Sequence, residues 1–315
     1  MRTRLLLLLC VAGLATLFAI GGAGTASAAS TCAGAAARDT AHPCVNQSRS
    51  VTPSVKNINK KTESACNYRI EQELQFCFFG TVGKKAKGNI ALLGDSHAWH
   101  WRGALGTVAK HYHWTGYSLT GPGCSYSDAV VLLPAGLKET CIPWYAKTKA
   151  FLKRHKEIST VFVSQLNTTP LDVPEGLTPE AVRTAAFEKS WAKDLPKNIK
   201  HVVVISDVPV PRSDTFTCIT KAIGSPGVFP GPACATPRAD GLTVPDVGLA
   251  AVAALHKKRY QGIDMTSWFC DDVSCPPVIG GTMVYRDTEG HMTPAYSESL
   301  GPYLLRAVRA LKKTW

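Results

Sequence analysis

The 315-residue chain carries 35 Lys and Arg against 23 Asp and Glu, a formal net charge of +12. Those bases are scattered and fall in no recognised nucleic-acid motif, which argues against nucleic acid as a partner. Of its 11 cysteines, no pair has the two-residue separation of a zinc knuckle, so no metal and no other cofactor is implied.

In chain order, residues 1–28 read as a secretory signal peptide. Arg2 and Arg4 precede an apolar stretch from Leu5 to Ile20, and Ala26-Ser-Ala28 offers a small-residue cleavage site. A membrane span is the alternative, because the stretch is at the lower limit for crossing. Cys10 lies too early to be a lipid-attachment cysteine, and no second hydrophobic segment of spanning length follows. The expectation is a secreted or otherwise extracytoplasmic protein. Without the signal the charge is still about +10, which suits an anionic cell-envelope polymer; solubility alone accounts for it equally well. Losing Cys10 leaves an even number of cysteines in an oxidising compartment, which favours disulfides.

From Ala29 to Lys87 the chain is rich in Ser, Thr, Asn, Lys and Cys with little periodicity, and predicts a loop-rich, disulfide-pinned extension. From Gly88 strands and helices alternate. A strand to Leu93 is followed by a helix over 98–110, a strand over 115–119 and a helix over 145–156. Next come a strand near Val161, a helix over 179–193, a strand over 201–206, a helix over 247–258, a short strand at Ile263 and a closing helix to Lys312. The Pro- and Gly-rich stretch from Pro209 to Pro245 reads as an insertion. Such alternation implies a parallel sheet covered on both faces. The domain plan is 1–28 signal, 29–87 extension and 88–315 main domain, and no internal repeat is visible.

The first strand ends in Ile90-Ala-Leu-Leu-Gly94-Asp95-Ser96-His97. Gly94 permits a tight turn, and backbone N–H groups at the start of the following helix can stabilise an oxyanion beside Ser96. Simple helix capping by Asp95 or Ser96 reads this turn equally well. A second segment, Tyr285-Arg-Asp287-Thr-Glu289-Gly-His291-Met-Thr293-Pro294, places acids and a histidine before a helix that Thr293 caps and Pro294 opens. A nucleophilic serine needs such a base and orienting acid. His97, His100, His111 and His113 near the first helix read as solvated or capping groups rather than ligands.

These segments resemble the SGNH domain found at the extracytoplasmic end of acyltransferase 3 membrane proteins. The resemblance rests on Gly94-Asp-Ser-His97 with Ala98-Trp-His-Trp101, Cys124, Cys141-Ile-Pro-Trp144, Val202 to Pro211, Cys218, Cys234, Ile263 to Cys270, Cys275-Pro276 and the late acid-to-histidine loop. It runs from about Asn89 to Leu311. It implies an α/β fold, an SGNH/flavodoxin-like three-layer α/β/α sandwich with a mostly parallel sheet and a disulfide-rich N-terminal extension. It also implies the pairs Cys32–Cys44, Cys66–Cys77, Cys124–Cys141, Cys218–Cys234 and Cys270–Cys275.

The implied catalytic residues are Ser96, His291 and Asp287. The family's acid usually stands three residues before the histidine, where this chain has Thr288. Asp287 is preferred to Glu289 because it follows the Tyr-Arg pair and Gly290 can absorb the extra residue. For the oxyanion, Gly121 or Gly123 supplies a backbone donor and Asn167 a side-chain donor; a loop amide satisfied by its own backbone reads Asn167 as well. The implied function is a secreted serine enzyme acting on O-acyl, chiefly O-acetyl, esters, as an esterase or as an O-acyltransferase on envelope carbohydrate. Its partners would be an acyl-ester or glycan substrate and a membrane acyl-donor protein. A non-catalytic envelope- or glycan-binding module of the same fold is the alternative.

Overall fold

The computed structural model describes residues 32–44, 49–134, 136 and 138–315; the expected signal peptide lies outside them. Its first two strands fall where the sequence predicts a loop-rich extension. Strands β1 (Asn67–Glu71) and β2 (Leu74–Gly80) form an antiparallel hairpin. They escape a sequence reading because the turn residues Gln72 and Glu73 adopt positive φ without Gly or Asn, and because β1 is short and largely exposed, its alternating Tyr68 and Ile70 included. Leu74 and Phe76 of β2 are buried.

The predicted alternation then follows. β3 (Gly88–Gly94) leads to α1 (Ser96–Trp99), α2 (Arg102–His111) and β4 (Trp114–Thr120). After α3 (Lys138–Arg154) come β5 (Ile158–Ser164), α4 (Pro179–Lys189) and β6 (His201–Ile205). The insertion holds α5 (Thr215–Gly224). The chain closes with α6 (Val247–Leu255), β7 (Tyr260–Ile263), α7 (Pro294–Ser299) and α8 (Gly301–Lys312). Helix α3 starts well before the predicted Tyr145, and Pro143 lies inside it. All five implied disulfides are formed.

The seven-stranded sheet has the order β1-β2-β4-β3-β5-β6-β7. The hairpin, antiparallel within itself, adds antiparallel to β4, and the remaining pairings are parallel. Alternate residues of β3 serve two cores, as a strand's period requires. Ile90 and Leu92 pack with Trp101, Leu105, Leu304 and Val308, whereas Ala91 and Leu93 pack with Phe151, Phe187 and Trp191. β4 and β5 flank β3 on opposite sides, so the connection that follows β3 and the one that follows β4 run in opposite directions across the sheet. The carboxyl end of β3 is therefore the topological switch point, where open α/β sheets form a crevice. Ser96 stands there.

Candidate active site

Gly94 ends β3 with φ +137°, and a Cβ on it would lie 1.9 Å from the Ser164 carbonyl oxygen. Only glycine fits between two strands at this point. Asp95 takes the capping role: its Oδ1 accepts the His97 N–H at 2.8 Å, and its Oδ2 accepts the Leu166 N–H at 2.9 Å. The Ser96 hydroxyl is thereby released from capping. Its Oγ lies 2.8 Å from His291 Nε2.

His291 arrives from the loop before α7, which Thr293 caps and Pro294 opens as predicted. Asp287 Oδ2 lies 2.8 Å from His291 Nδ1, and Asp287 Oδ1 accepts the His291 backbone N–H at 3.1 Å. Glu289 is mostly exposed, with its nearest oxygen 3.8 Å from the same nitrogen. The loop thus brings Asp287, not Glu289, into hydrogen-bonding range. Burial works to raise the Asp287 carboxyl, but its hydrogen bonds to His291 and the charges of His291 and Arg286 outweigh this and hold it below its ordinary range. A carboxylate so held favours one imidazole tautomer, with Nε2 free to take a proton from Ser96.

Beside this chain stands a second His–Asp pair that the sequence reading does not contain. His97 is fully buried rather than solvated, and its Nδ1 lies 2.6 Å from Asp207 Oδ1. Burial disfavours the imidazolium, yet the charge and hydrogen bond of Asp207, with Asp95 and Asp287 nearby, raise the His97 pKa to about 9. Its ring centroid is 5.2 Å from that of His291. Gly290 has φ +90°, and a Cβ there would sit 3.4 Å from His97 Cε1. His97 therefore supports the loop that carries His291. His100 is also inward: its Nδ1 accepts the Met292 N–H at 3.1 Å, and burial together with the neighbouring cations drives its pKa well below the ordinary value. These roles were not legible because Asp207 and His97 are 110 residues apart.

The expected oxyanion donors are placed differently. The Gly121 N–H is donated to the Gly94 carbonyl at 3.0 Å, so Gly121 lines the cleft beside Ser96 with its amide already engaged. Gly123 has φ +68° and packs against Leu133. Asn167 donates its side-chain N–H to Asp246 at 3.1 Å and its backbone N–H to Asp207 at 2.8 Å. It lines a hollow with Asp207 and Asp246, separate from the cleft that Ser96 lines.

A cleft of about 650 Å³ opens from Ser96 and is walled by Trp99, Trp144, Tyr68, Arg102, Phe76 and Lys147, among others. Glu63, in the extension, accepts hydrogen bonds from Tyr68, Trp99 and Arg102 and so ties that wall to α1 and α2. The arrangement offers a serine hydroxyl, a base, an orienting acid and an aromatic, mixed-charge groove.

Residues 60–306 match the family described as SGNH domain (fused to AT3 domains). Among solved structures the chain is similar to the periplasmic domain of a lipopolysaccharide acetyltransferase from Salmonella ser. Paratyphi A. The TM-score is 0.55 with 16% identity, over 72% of this chain and 85% of that one. At that identity the likeness is one of fold. No curated protein matches the chain.

Proposed function

Because this chain belongs to the family of SGNH domains that occur fused to acyltransferase 3 domains, we propose that it is an extracytoplasmic serine enzyme acting on O-acetyl esters of envelope carbohydrate. The observation that carries this reading is the contact of Ser96 Oγ with His291 Nε2 at 2.8 Å, continued from His291 Nδ1 to Asp287. Ser96 attacks the acyl carbonyl as His291 accepts its proton, and Asp287 orients the ring and stabilises the imidazolium. The Ser96 backbone N–H, at the first turn of α1, is the nearest candidate for the oxyanion. His291 returns the proton to the departing hydroxyl. Water then resolves the acyl-enzyme in hydrolysis, and a sugar hydroxyl resolves it in transfer. The aromatic walls of the cleft suit a sugar ring as donor or acceptor. A membrane acyl-donor protein is the proposed source of acyl groups for transfer.

The five disulfides favour an oxidising compartment, in keeping with export by a signal peptide at 1–28. The test is labelling by a fluorophosphonate, together with turnover of p-nitrophenyl acetate with and without a glycan acceptor. Ser96→Ala should abolish labelling and lower turnover about 10⁴-fold or more. Acetylated sugar marks transfer, and free acetate alone marks hydrolysis. Unlabelled wild-type protein, or a Ser96→Ala variant that turns over normally, would sink the proposal.

A further inference from the structure

The bases that are scattered in sequence are gathered in space. β3, β4, β5, β6 and β7 are mutually parallel, so their amino ends share one edge of the sheet, opposite the edge that bears Ser96. Each loop that leads into one of these strands is basic. Lys-Lys-Ala-Lys precedes β3, Lys-His-Tyr-His precedes β4, Arg-His-Lys-Glu precedes β5, Lys-Asn-Ile-Lys precedes β6 and His-Lys-Lys-Arg precedes β7. Helix α8 ends at the same edge, because the ring of Trp315 stacks on His201 at the start of β6 with centroids 4.2 Å apart. It brings Arg309, Lys312 and Lys313. Arg154 and His155 are offset by Glu71. By contrast Lys84, Lys85, Lys110, Lys200, Lys257 and Lys258 are exposed and make no ion pair among the described residues. The loops leaving the strands are acidic instead, with Asp207, Asp264, Asp287 and Glu289.

We propose that this amino-terminal edge of the sheet is a cationic docking face that seats the protein on an anionic phospholipid surface, with the Ser96 cleft turned away from it. Two features favour a lipid surface over a single polymer chain. The cations stand on separate loops across five neighbouring strands, a breadth of roughly 20 Å at the usual strand spacing, where one chain would call for a groove. The edge also carries partly exposed Tyr112, Trp114 and Trp315 packed around Lys312, whose Nζ lies 5.0, 4.9 and 4.4 Å from their ring centres, and Val82 is 49% exposed in the loop before β3. Aromatic rings beside cations are suited to the headgroup layer, where the rings meet the acyl boundary and the cations meet phosphate.

The experiment is sedimentation of purified protein with vesicles of phosphatidylglycerol mixed into phosphatidylcholine, against phosphatidylcholine alone, in about 0.1 M salt. Two triple variants alter the edge independently: Lys200→Glu/Lys257→Glu/Lys258→Glu and Lys84→Glu/Lys85→Glu/Lys110→Glu. A control of equal charge change, Lys56→Glu/Lys60→Glu/Lys221→Glu, lies outside the strand-entering loops. Wild type and control should sediment with the anionic vesicles only. Each edge variant that retains the wild-type melting temperature should lose about tenfold or more in partitioning, with turnover of p-nitrophenyl acetate unchanged. Three results would overturn the proposal: failure of the wild type to bind anionic vesicles, equal loss in edge and control variants, or capture by soluble polyglycerol phosphate without binding to vesicles.

Discussion

Whether Ser96 caps its helix is decided one residue earlier, where Asp95 accepts the His97 N–H and leaves the serine hydroxyl to His291, as the proposed nucleophile requires. The same logic separates the two acids of the late loop. Asp287→Asn should lower ester turnover by about 10⁴-fold, because an amide favours the wrong imidazole tautomer, whereas Glu289→Gln should change it little. A steady-state comparison of the two variants checks this, and a larger loss in Glu289→Gln would reverse the assignment. His97 makes a prediction about stability. Its folded pKa of about 9 stands above the ordinary 6.5, so the pair with Asp207 stabilises the fold fully below about pH 6.5 and loses that contribution as pH rises through about 9. Denaturant unfolding of the wild type should therefore weaken across that window. His97→Gln should be less stable by about 3 kcal/mol near pH 6, from breaking a buried pair, and flatter with pH. Ser96, His291 and the two acids were legible because each sits in a short local motif. Asp207, His100 and Glu63 were not, since each owes its place to contacts between distant segments.

Among the elements, an apolar run bounded by Gly88 and Gly94 marked β3, alternation with helices marked the other parallel strands, and the Thr293-Pro294 pair marked the start of α7. The β1–β2 hairpin stayed hidden because its turn has no glycine or asparagine and its outer strand has no buried face. The hairpin matters to the site, for Tyr68 and Phe76 wall the cleft. The opposite wall is held by Cys124–Cys141, which joins the segment after β4 to α3 over a separation of 17 residues. Replacing both cysteines with alanine should lower stability by about 3 kcal/mol. It should also raise KM for a glycan ester more than it lowers kcat, because Trp144 lies on the loosened wall while Ser96 and His291 do not. Unfolding midpoints and separate kinetic constants test the two halves of this claim. Gly94 is stricter still. Gly94→Ala would set a methyl group against the Ser164 carbonyl, and soluble expression of the variant should collapse.

On the scale of the whole molecule, a linear reading of charge misleads. The bases look dispersed along 315 residues, yet parallel crossovers return the chain to the same edge before each strand and so collect them. Strand direction is a property of topology, which composition does not carry. The outcome is a polar particle with the Ser96 cleft at the opposite pole from this cluster of cations, and this has a practical side. On a cation-exchange resin the molecules should settle in a common orientation, held by their lysine-rich pole and presenting Ser96 to the mobile phase. Resin-bound protein should then hydrolyse p-nitrophenyl acetate at close to its rate in solution, with elution by salt rather than by substrate.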